Sequence, residues 1–217
     1  MDNFAAQPRI PESFLQHRHL FAAPWVERWI LPNPFISALA SPLRAIGVEL
    51  SDFSFNKDAA TVGENYLNIS IRKLNAAVRI ALDTVTFSAA NPSWEIAPQL
   101  AAIFDQVSDQ IRDVVRSSPE SQEGVLTLHV TPGTLDFGKM TGALVNKEAV
   151  GECLFYGLSL HRSDRTLIID KSLIYEAAAF VRLQRKFAGG ARFAEVASQL
   201  YQDEVAALRL LGIPDVP

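Results

Sequence analysis

Alternation of apolar and polar residues in the first half of the chain constrains the fold most strongly. In "NYLNISIRK" the apolar side chains Leu67, Ile69 and Ile71 alternate with polar ones, and "VRIALDTVTF" repeats this pattern. A period of two is typical of a β-strand that buries one face. We predict two strands here, joined by a turn at Leu74–Asn75, with a bulge near Asp83–Thr84 where the alternation changes phase.

The period changes after "NPSW", where apolar residues recur at every third or fourth position. This spacing predicts an amphipathic helix, and Pro119 prevents its continuation beyond about Ser117. "IGVEL", Ile46–Leu50, also alternates and predicts an additional strand ahead of these elements. The apolar positions of the helix are Ile96, Leu100, Ile103, Phe104, Val107, Ile111, Val114 and Val115.

The second half of the chain shows a similar order of elements without residue identity to the first. We predict strands near 124–130, 134–138, 152–161 and 166–170, followed by a helix from about Leu173 to Phe187. A last helix is expected from Phe193 to Leu211, with Gly212 at its C-terminal cap.

Together these elements predict an α+β fold of antiparallel sheets with three to four strands, each followed by a long amphipathic helix. A C-terminal helix and a proline-rich N-terminal arm complete the expected architecture. Residues 1–44 are assigned to the arm and residues 45–217 to the α+β domain. That domain divides into two similar β-β-β-α halves, 45–118 and 119–217, and both a duplication and a chance similarity stay open.

The first 44 residues hold six of the twelve prolines and six large aromatic side chains. Prolines at this density break any long helix, so this segment cannot build a core of its own. Only short helical pieces fit, such as one from Trp25 to Ile30 that begins after Pro24. The aromatic rings would remove a large apolar area from water if they were covered. We therefore expect the arm to pack either on the chain's own sheet or on another protein.

Aromatic residues and arginine dominate the energetics of protein interfaces. The arm supplies both types, so its aromatic positions and one arginine are the candidate partner-binding residues. They are Phe14, Phe21, Trp25, Arg28, Trp29 and Phe35.

A phosphate-binding loop is suggested by "TPGTLDFGKMTG", Thr131–Gly142, which contains Gly-x-x-x-x-Gly-Lys. Met140 stands where that motif needs a hydroxyl for magnesium, and Asp136 would repel an anion. A hairpin accounts for the same residues better, since Pro132 and Gly133 suit the two central positions of a type II turn. A degenerate nucleotide binder is therefore the least favoured hypothesis.

The histidines offer two weaker hypotheses. His17-x-His19 has metal-ligand spacing but no third ligand nearby, so we expect no metal site and no cofactor. A polar sheet face that gathers Arg79, Asp83, His129 and His161 would form a small-molecule site with acid–base groups. The competing interpretation is a solvated sheet face.

Composition excludes several classes of protein. A net charge of −4 and a pI near 5.6 argue against nucleic-acid binding by bulk electrostatics. The single Cys153 excludes an internal disulfide framework and favours a reducing, cytoplasmic compartment. We expect neither a signal peptide nor a membrane span, because the longest uncharged run is short and rich in proline.

We therefore expect a non-catalytic, intracellular protein-interaction or assembly module. It would form a homo-oligomer or dock on a protein partner through the N-terminal arm and the sheet surface. The alternative is a small-molecule-binding protein or enzyme with a polar pocket on the sheet face.

Overall fold

The computed structural model of the chain describes residues 9–25, 33–56, 65–131, 157–176 and 178–213. These residues form one large antiparallel sheet of nine strands and three α-helices. The strands are β1 (Arg9–Leu20), β2 (Phe53–Asn56), β3 (Tyr66–Ile71), β4 (Ala76–Ile80), β5 (Thr84–Ala90), β6 (Ser121–Thr131), β7 (Gly157–His161), β8 (Arg165–Lys171) and β9 (Ala179–Ala188). The helices are α1 (Asn33–Arg44), α2 (Ala97–Val115) and α3 (Phe193–Leu210).

The strands lie in the order β2-β3-β4-β5-β1-β6-β9-β8-β7. The chain also divides into two compact units: unit 1 comprises Met1–Ser13, Val125–Arg185 and Leu200–Pro217, and unit 2 comprises Phe14–Gly124 and Lys186–Gln199. Strands β1, β6 and β9 and helix α3 contribute residues to both units. No helix in the described ranges is long and apolar enough to cross a membrane.

The expected fold class of separate three- to four-stranded sheets, each followed by a long helix, is wrong. The helix predicted from Leu173 to Phe187 does not form, since residues 179–188 are strand β9. In this strand Ala179, Val181 and Leu183 are buried while the residues between them are partly exposed. That alternation has a period of two, which no helix can satisfy.

Strand β1 is the second reason for the correction. It lies between β5 and β6, so strands expected in different sheets belong to one. Its buried positions are Leu15, His17 and His19, and the two histidines disguise an alternating pattern because they count as polar.

Two local predictions also fail. Residues of "IGVEL" end α1 in a Schellman motif instead of forming a strand, because the Gly47 amide donates to the Arg44 carbonyl and the Val48 amide donates to the Leu43 carbonyl. Gly47 has φ +85°, the left-handed conformation that this motif requires. The phase change near Asp83 is a tight turn and not a bulge, since the Ala81 amide donates to the Thr84 carbonyl.

The core of unit 2 contains the predicted alternating strand residues and the predicted amphipathic helix. Strands β3, β4 and β5 pair antiparallel, and Asn75 in the left-handed conformation marks the predicted turn between β3 and β4. Helix α2 confirms the predicted amphipathic segment, with Leu100, Phe104 and Ile111 buried. Helix α1 adds three buried side chains to this core, those of Phe35, Leu39 and Leu43.

The core of unit 1 is built from β6, β8 and β9 and from the C-terminal part of α3. The predicted strands near 124–130 and 166–170 and the predicted final helix are confirmed. Register is defined for β8 and β9, which place Ile169 opposite Val181 in a fully buried pair. The hairpin and phosphate-loop hypotheses for 132–142, the predicted strand at 134–138 and residues 152–156 lie outside the described residues.

Helix α2 ends at Arg116, which has φ 55° and ψ 37° and donates its amide to the Arg112 carbonyl. A non-glycine residue in this left-handed position is strained by about 1 kcal/mol. We expect Arg116→Gly to raise the free energy of unfolding by about 0.5 kcal/mol, after the entropy of glycine in the unfolded chain is subtracted. Urea denaturation measures the change.

The matched control is Ser117→Gly, at an exposed neighbour without positive φ. This control should lower the free energy of unfolding by up to about 1 kcal/mol. An equal effect of both glycines would contradict the strained cap.

Candidate functional site

A cavity of about 910 Å³ lies in unit 1 where β8 ends. His129 from β6 and Phe180 from β9 line it together with Ser172, Leu173 and Ile174 from the segment after β8. The charged residues Asp170 and Lys171 also line it. We call it the His129 cavity. It has a predominantly apolar wall with a few polar groups, which is the composition of a binding site.

The turn after β8 is fixed by Ser172, which is 5% exposed. Its Oγ accepts hydrogen bonds from the backbone amides of Ile174 at 3.2 Å and Tyr175 at 3.0 Å. Its own amide donates to the Ala178 carbonyl at 2.8 Å. A serine hydroxyl that satisfies two successive amides holds a turn in one conformation.

The same hydroxyl determines the protonation pattern of His129. Ser172 Oγ lies 2.9 Å from His129 Nδ1. Because both lone pairs of Oγ already accept amides, the hydroxyl must donate its proton to Nδ1. Neutral His129 therefore carries its hydrogen on Nε2. The imidazole ring packs edge-on against Tyr175, at 5.1 Å between ring centroids, and in a tilted orientation against Phe180, at 5.3 Å.

The contacts of Ser172 do not suit it to act as a nucleophile. A serine nucleophile needs an exposed oxygen with a free lone pair, and Ser172 is buried with both lone pairs occupied. The Ser172–His129 pair therefore acts as a structural support for the turn that follows β8.

Two large aliphatic side chains project from this supported turn. Leu173 is 99% exposed and Ile174 is 69% exposed. The next residue, Tyr175, donates its hydroxyl to Glu12 Oε2 at 3.1 Å, and this hydrogen bond to a carboxylate raises the pKa of Tyr175. An exposed aliphatic pair between two anchored residues is a defined apolar surface.

A second cluster lies in unit 2, where β1 buries His17 and His19. Their rings meet edge-on at 4.5 Å and pack against Phe87 and Phe193, and Phe104 packs on Phe193. His17 Nε2 lies 2.7 Å from Gln122 Oε1, and the Gln122 amide group donates to the Gly189 carbonyl at 2.6 Å. His17 therefore donates from Nε2.

Burial keeps both histidines neutral. It lowers the pKa of His17 to about 4, against a smaller opposite effect of the Gln122 hydrogen bond. Burial also lowers the pKa of His19 to about 2, with further lowering by His17 and by Arg112. His17 Nδ1 and His19 Nε2 have no hydrogen-bond partner among the described residues. No group of three metal-ligating side chains occurs in the described part of the chain, and the positive charge of Arg112 disfavours a cation here.

The candidate partner-binding residues differ in how far they are buried. Phe21, Trp25 and Phe35 are buried in unit 2, where Trp25 packs edge-on against Phe21 at 4.5 Å and lies 6.1 Å from Phe35. The Phe21 and Trp25 amides donate to carbonyls of the β4–β5 turn. Phe14 is 37% exposed. Arg28 and Trp29 lie outside the described residues, as does most of the predicted helix from Trp25 to Ile30.

The four residues of the alternative ligand site are divided between the two units. Arg79 and Asp83 belong to unit 2, whereas His129 and His161 belong to unit 1. Within unit 1, β9 and β8 separate the strands that carry the two histidines. The Arg79 guanidinium lies 3.7 Å from the centre of the Tyr66 ring in a polar cleft of about 480 Å³, and the His161 ring contacts the Thr166 hydroxyl at 3.3 Å. Asp83 accepts from the neighbouring Thr84 hydroxyl.

Leu173 and Ile174 were not among the residues predicted for a site, since the predicted helix began at Leu173. The alternation of "AFVRLQR" further along would have identified a strand and left "KSLIY" as a turn with an apolar tip. The sequence matches no protein family model, and no curated protein matches it.

The buried histidine pair predicts acid sensitivity. Below pH 6.5 the unfolded chain takes up protons at His17 and His19 that the folded chain does not bind, so stability is lost as pH falls from about 6.5 toward 4. Between pH 7.5 and pH 5 we expect a loss of roughly 2 kcal/mol for each histidine. Urea denaturation across this range measures it.

His17→Gln keeps a donor for Gln122 and should remove about half of this pH dependence. The exposed His161 provides the control, and His161→Gln should leave the dependence intact. Identical pH profiles for His17→Gln and the wild type would show that His17 is not the group responsible.

Proposed function

We propose that this chain is a non-catalytic assembly module that self-associates through the His129 cavity and the Leu173–Ile174 pair. The observation that carries the proposal is the exposure of two adjacent aliphatic side chains on a turn held by Ser172. An apolar surface presented by a supported turn is a feature of binding sites, because a flexible or collapsed turn would hide it.

A second copy of the chain is the partner that fits this surface. One copy carries both a projecting apolar pair and an apolar cavity at the same place. A two-fold axis brings a surface against its own copy, so each pair would enter the other copy's cavity. The adjacent Asp170 and Lys171 add self-complementary charge, since the acid of one copy would meet the base of the other.

The chemistry of the site supports binding without catalysis. Ser172 is occupied by backbone amides and His129 by Ser172, so neither is presented as a nucleophile or base. The projecting Leu173 and Ile174 would each contribute about 1.5–3 kcal/mol when fully buried. Four such side chains per dimer are comparable with the free-energy cost of association.

The test compares Leu173→Asp with the wild type by analytical ultracentrifugation over a range of concentrations. We expect a wild-type dimer and a dissociation constant raised at least about 100-fold by Leu173→Asp, because each dimer loses two apolar anchors. Leu50→Asp is the matched control, since Leu50 is an exposed leucine of unit 2. A wild-type chain that stays monomeric, or equal dissociation constants for the two variants, would contradict the proposal.

A charge exchange tests the two-fold arrangement. Lys171→Glu leaves two acids side by side, and Asp170→Lys leaves two bases. Each variant should associate more weakly than the wild type, and an equimolar mixture should associate more strongly than either alone.

Deleting residues 1–44 is not a suitable test of self-association, because it removes β1 from between β5 and β6.

A further inference from the structure

A separate cleft of about 230 Å³ lies in unit 1 between α3 and the strands β8 and β9. It is near the opposite end of β8 from the His129 cavity, since Arg165 begins this strand and Lys171 ends it. We call it the α3 cleft. Its volume is just below the range of drug-sized pockets, so it would hold only a small ligand.

The walls of the α3 cleft are mainly apolar. Leu167 and Leu183 lie on the strands, opposite Ala206 and Ala207 on α3. The two alanines create the space, because larger side chains at these helix positions would fill it. Leu160 and Leu210 also line the cleft and are 46% and 54% exposed, so an apolar surface faces solvent at this site.

Two arginines and one aspartate supply the charge of the cleft. Asp203 is already bound, since Arg165 Nη1 donates to it at 2.9 Å and Arg185 Nε lies 3.4 Å from it. Arg162 is exposed and makes no ion pair with any other described residue. The lining therefore carries a net positive charge with one guanidinium available.

We infer that the α3 cleft binds a small organic acid with an apolar chain. The chain would lie against the leucines and alanines, and the carboxylate would pair with the Arg162 guanidinium. Arginine suits a carboxylate because its N–H groups form a planar fork that matches two oxygens. Asp203 would repel a carboxylate, but Arg165 donates a hydrogen bond to its Oδ1 and Arg185 forms an ion pair with its Oδ2, which offsets the negative charge. The hairpin turn supports Arg162, whose amide donates to the Arg165 carbonyl at 2.8 Å.

The inference has two parts, the apolar contact with the chain and the ion pair with Arg162. Three compounds separate them: hexanoate, 1-hexanol and acetate. Titration of each into the full ¹⁵N-labelled chain, followed by NMR, should give saturable binding of hexanoate with a dissociation constant on the order of 1 mM. Acetate lacks the chain and hexanol lacks the charge, so both should bind about tenfold more weakly. Shifted resonances should cluster on β8, on β9 and on the C-terminal half of α3.

Substitutions at Arg162 and Ala206 test which side chains contact the ligand. Arg162→Gln should weaken hexanoate binding about tenfold and leave hexanol binding within about twofold. Ala206→Leu, at an exposed helix position, should weaken both about tenfold by filling the cleft. Arg116→Gln, at an exposed arginine of unit 2, is the matched control and should change neither.

The outcomes are distinct from those of the self-association test. Leu173→Asp should bind hexanoate as the wild type does, even if it no longer dimerises. Hexanoate binding that does not saturate, or that survives both Arg162→Gln and Ala206→Leu, would overturn the inference. Equal weakening of hexanoate and hexanol by Arg162→Gln would overturn the role given to the guanidinium.

Discussion

Burial of one face of β1 is the constraint on which the rest of the structure depends. This strand pairs with β5 from Phe14 to Leu20 and stands between β5 and β6 in the sheet. Its buried side chains include two histidines, and burying a polar ring is tolerated only when its hydrogen bonds and packing are provided. Gln122 and Ser108 each provide one hydrogen bond to a histidine, and Phe87 and Phe193 provide the ring packing. The sheet therefore includes a strand that composition alone assigns to a peripheral arm.

The same sheet covers the aromatic side chains that follow β1. Phe21 and Trp25 form backbone hydrogen bonds to the β4–β5 turn and pack edge-on against each other. Phe35 joins them from α1 and is fully buried. Their apolar area is thus removed from water within unit 2. The described surface with the largest exposure of aliphatic side chains is instead the Leu173–Ile174 turn of unit 1.

Local regularity predicted much of the fold. Strand β3, the turn at Asn75, helix α2 and helix α3 all follow from periods of two or 3.6 that extend over several residues. The alternation also identified the strand residues after this turn, although one bulged strand was predicted where β4 and β5 form. The prediction failed where the period was short or disguised. Gly47 ends a helix in a segment that alternates by chance, and the buried histidines hide the pattern of β1. In β9, arginine and glutamine between apolar residues were assigned to a helix although their spacing was that of a strand.

The sequence by itself determined which long periodic segments form strands and which form helices, because the period indicates which side chains share a buried face. It also determined the need to cover the N-terminal aromatics, since proline prevents that segment from covering them alone. Only the tertiary structure decided what covers them, which strands are neighbours and which aliphatic side chains stay exposed. These outcomes depend on contacts between residues far apart in the chain, such as His17 with Gln122, Tyr175 with Glu12 and Arg165 with Asp203. No local spacing encodes such contacts, so the candidate sites became visible only in three dimensions.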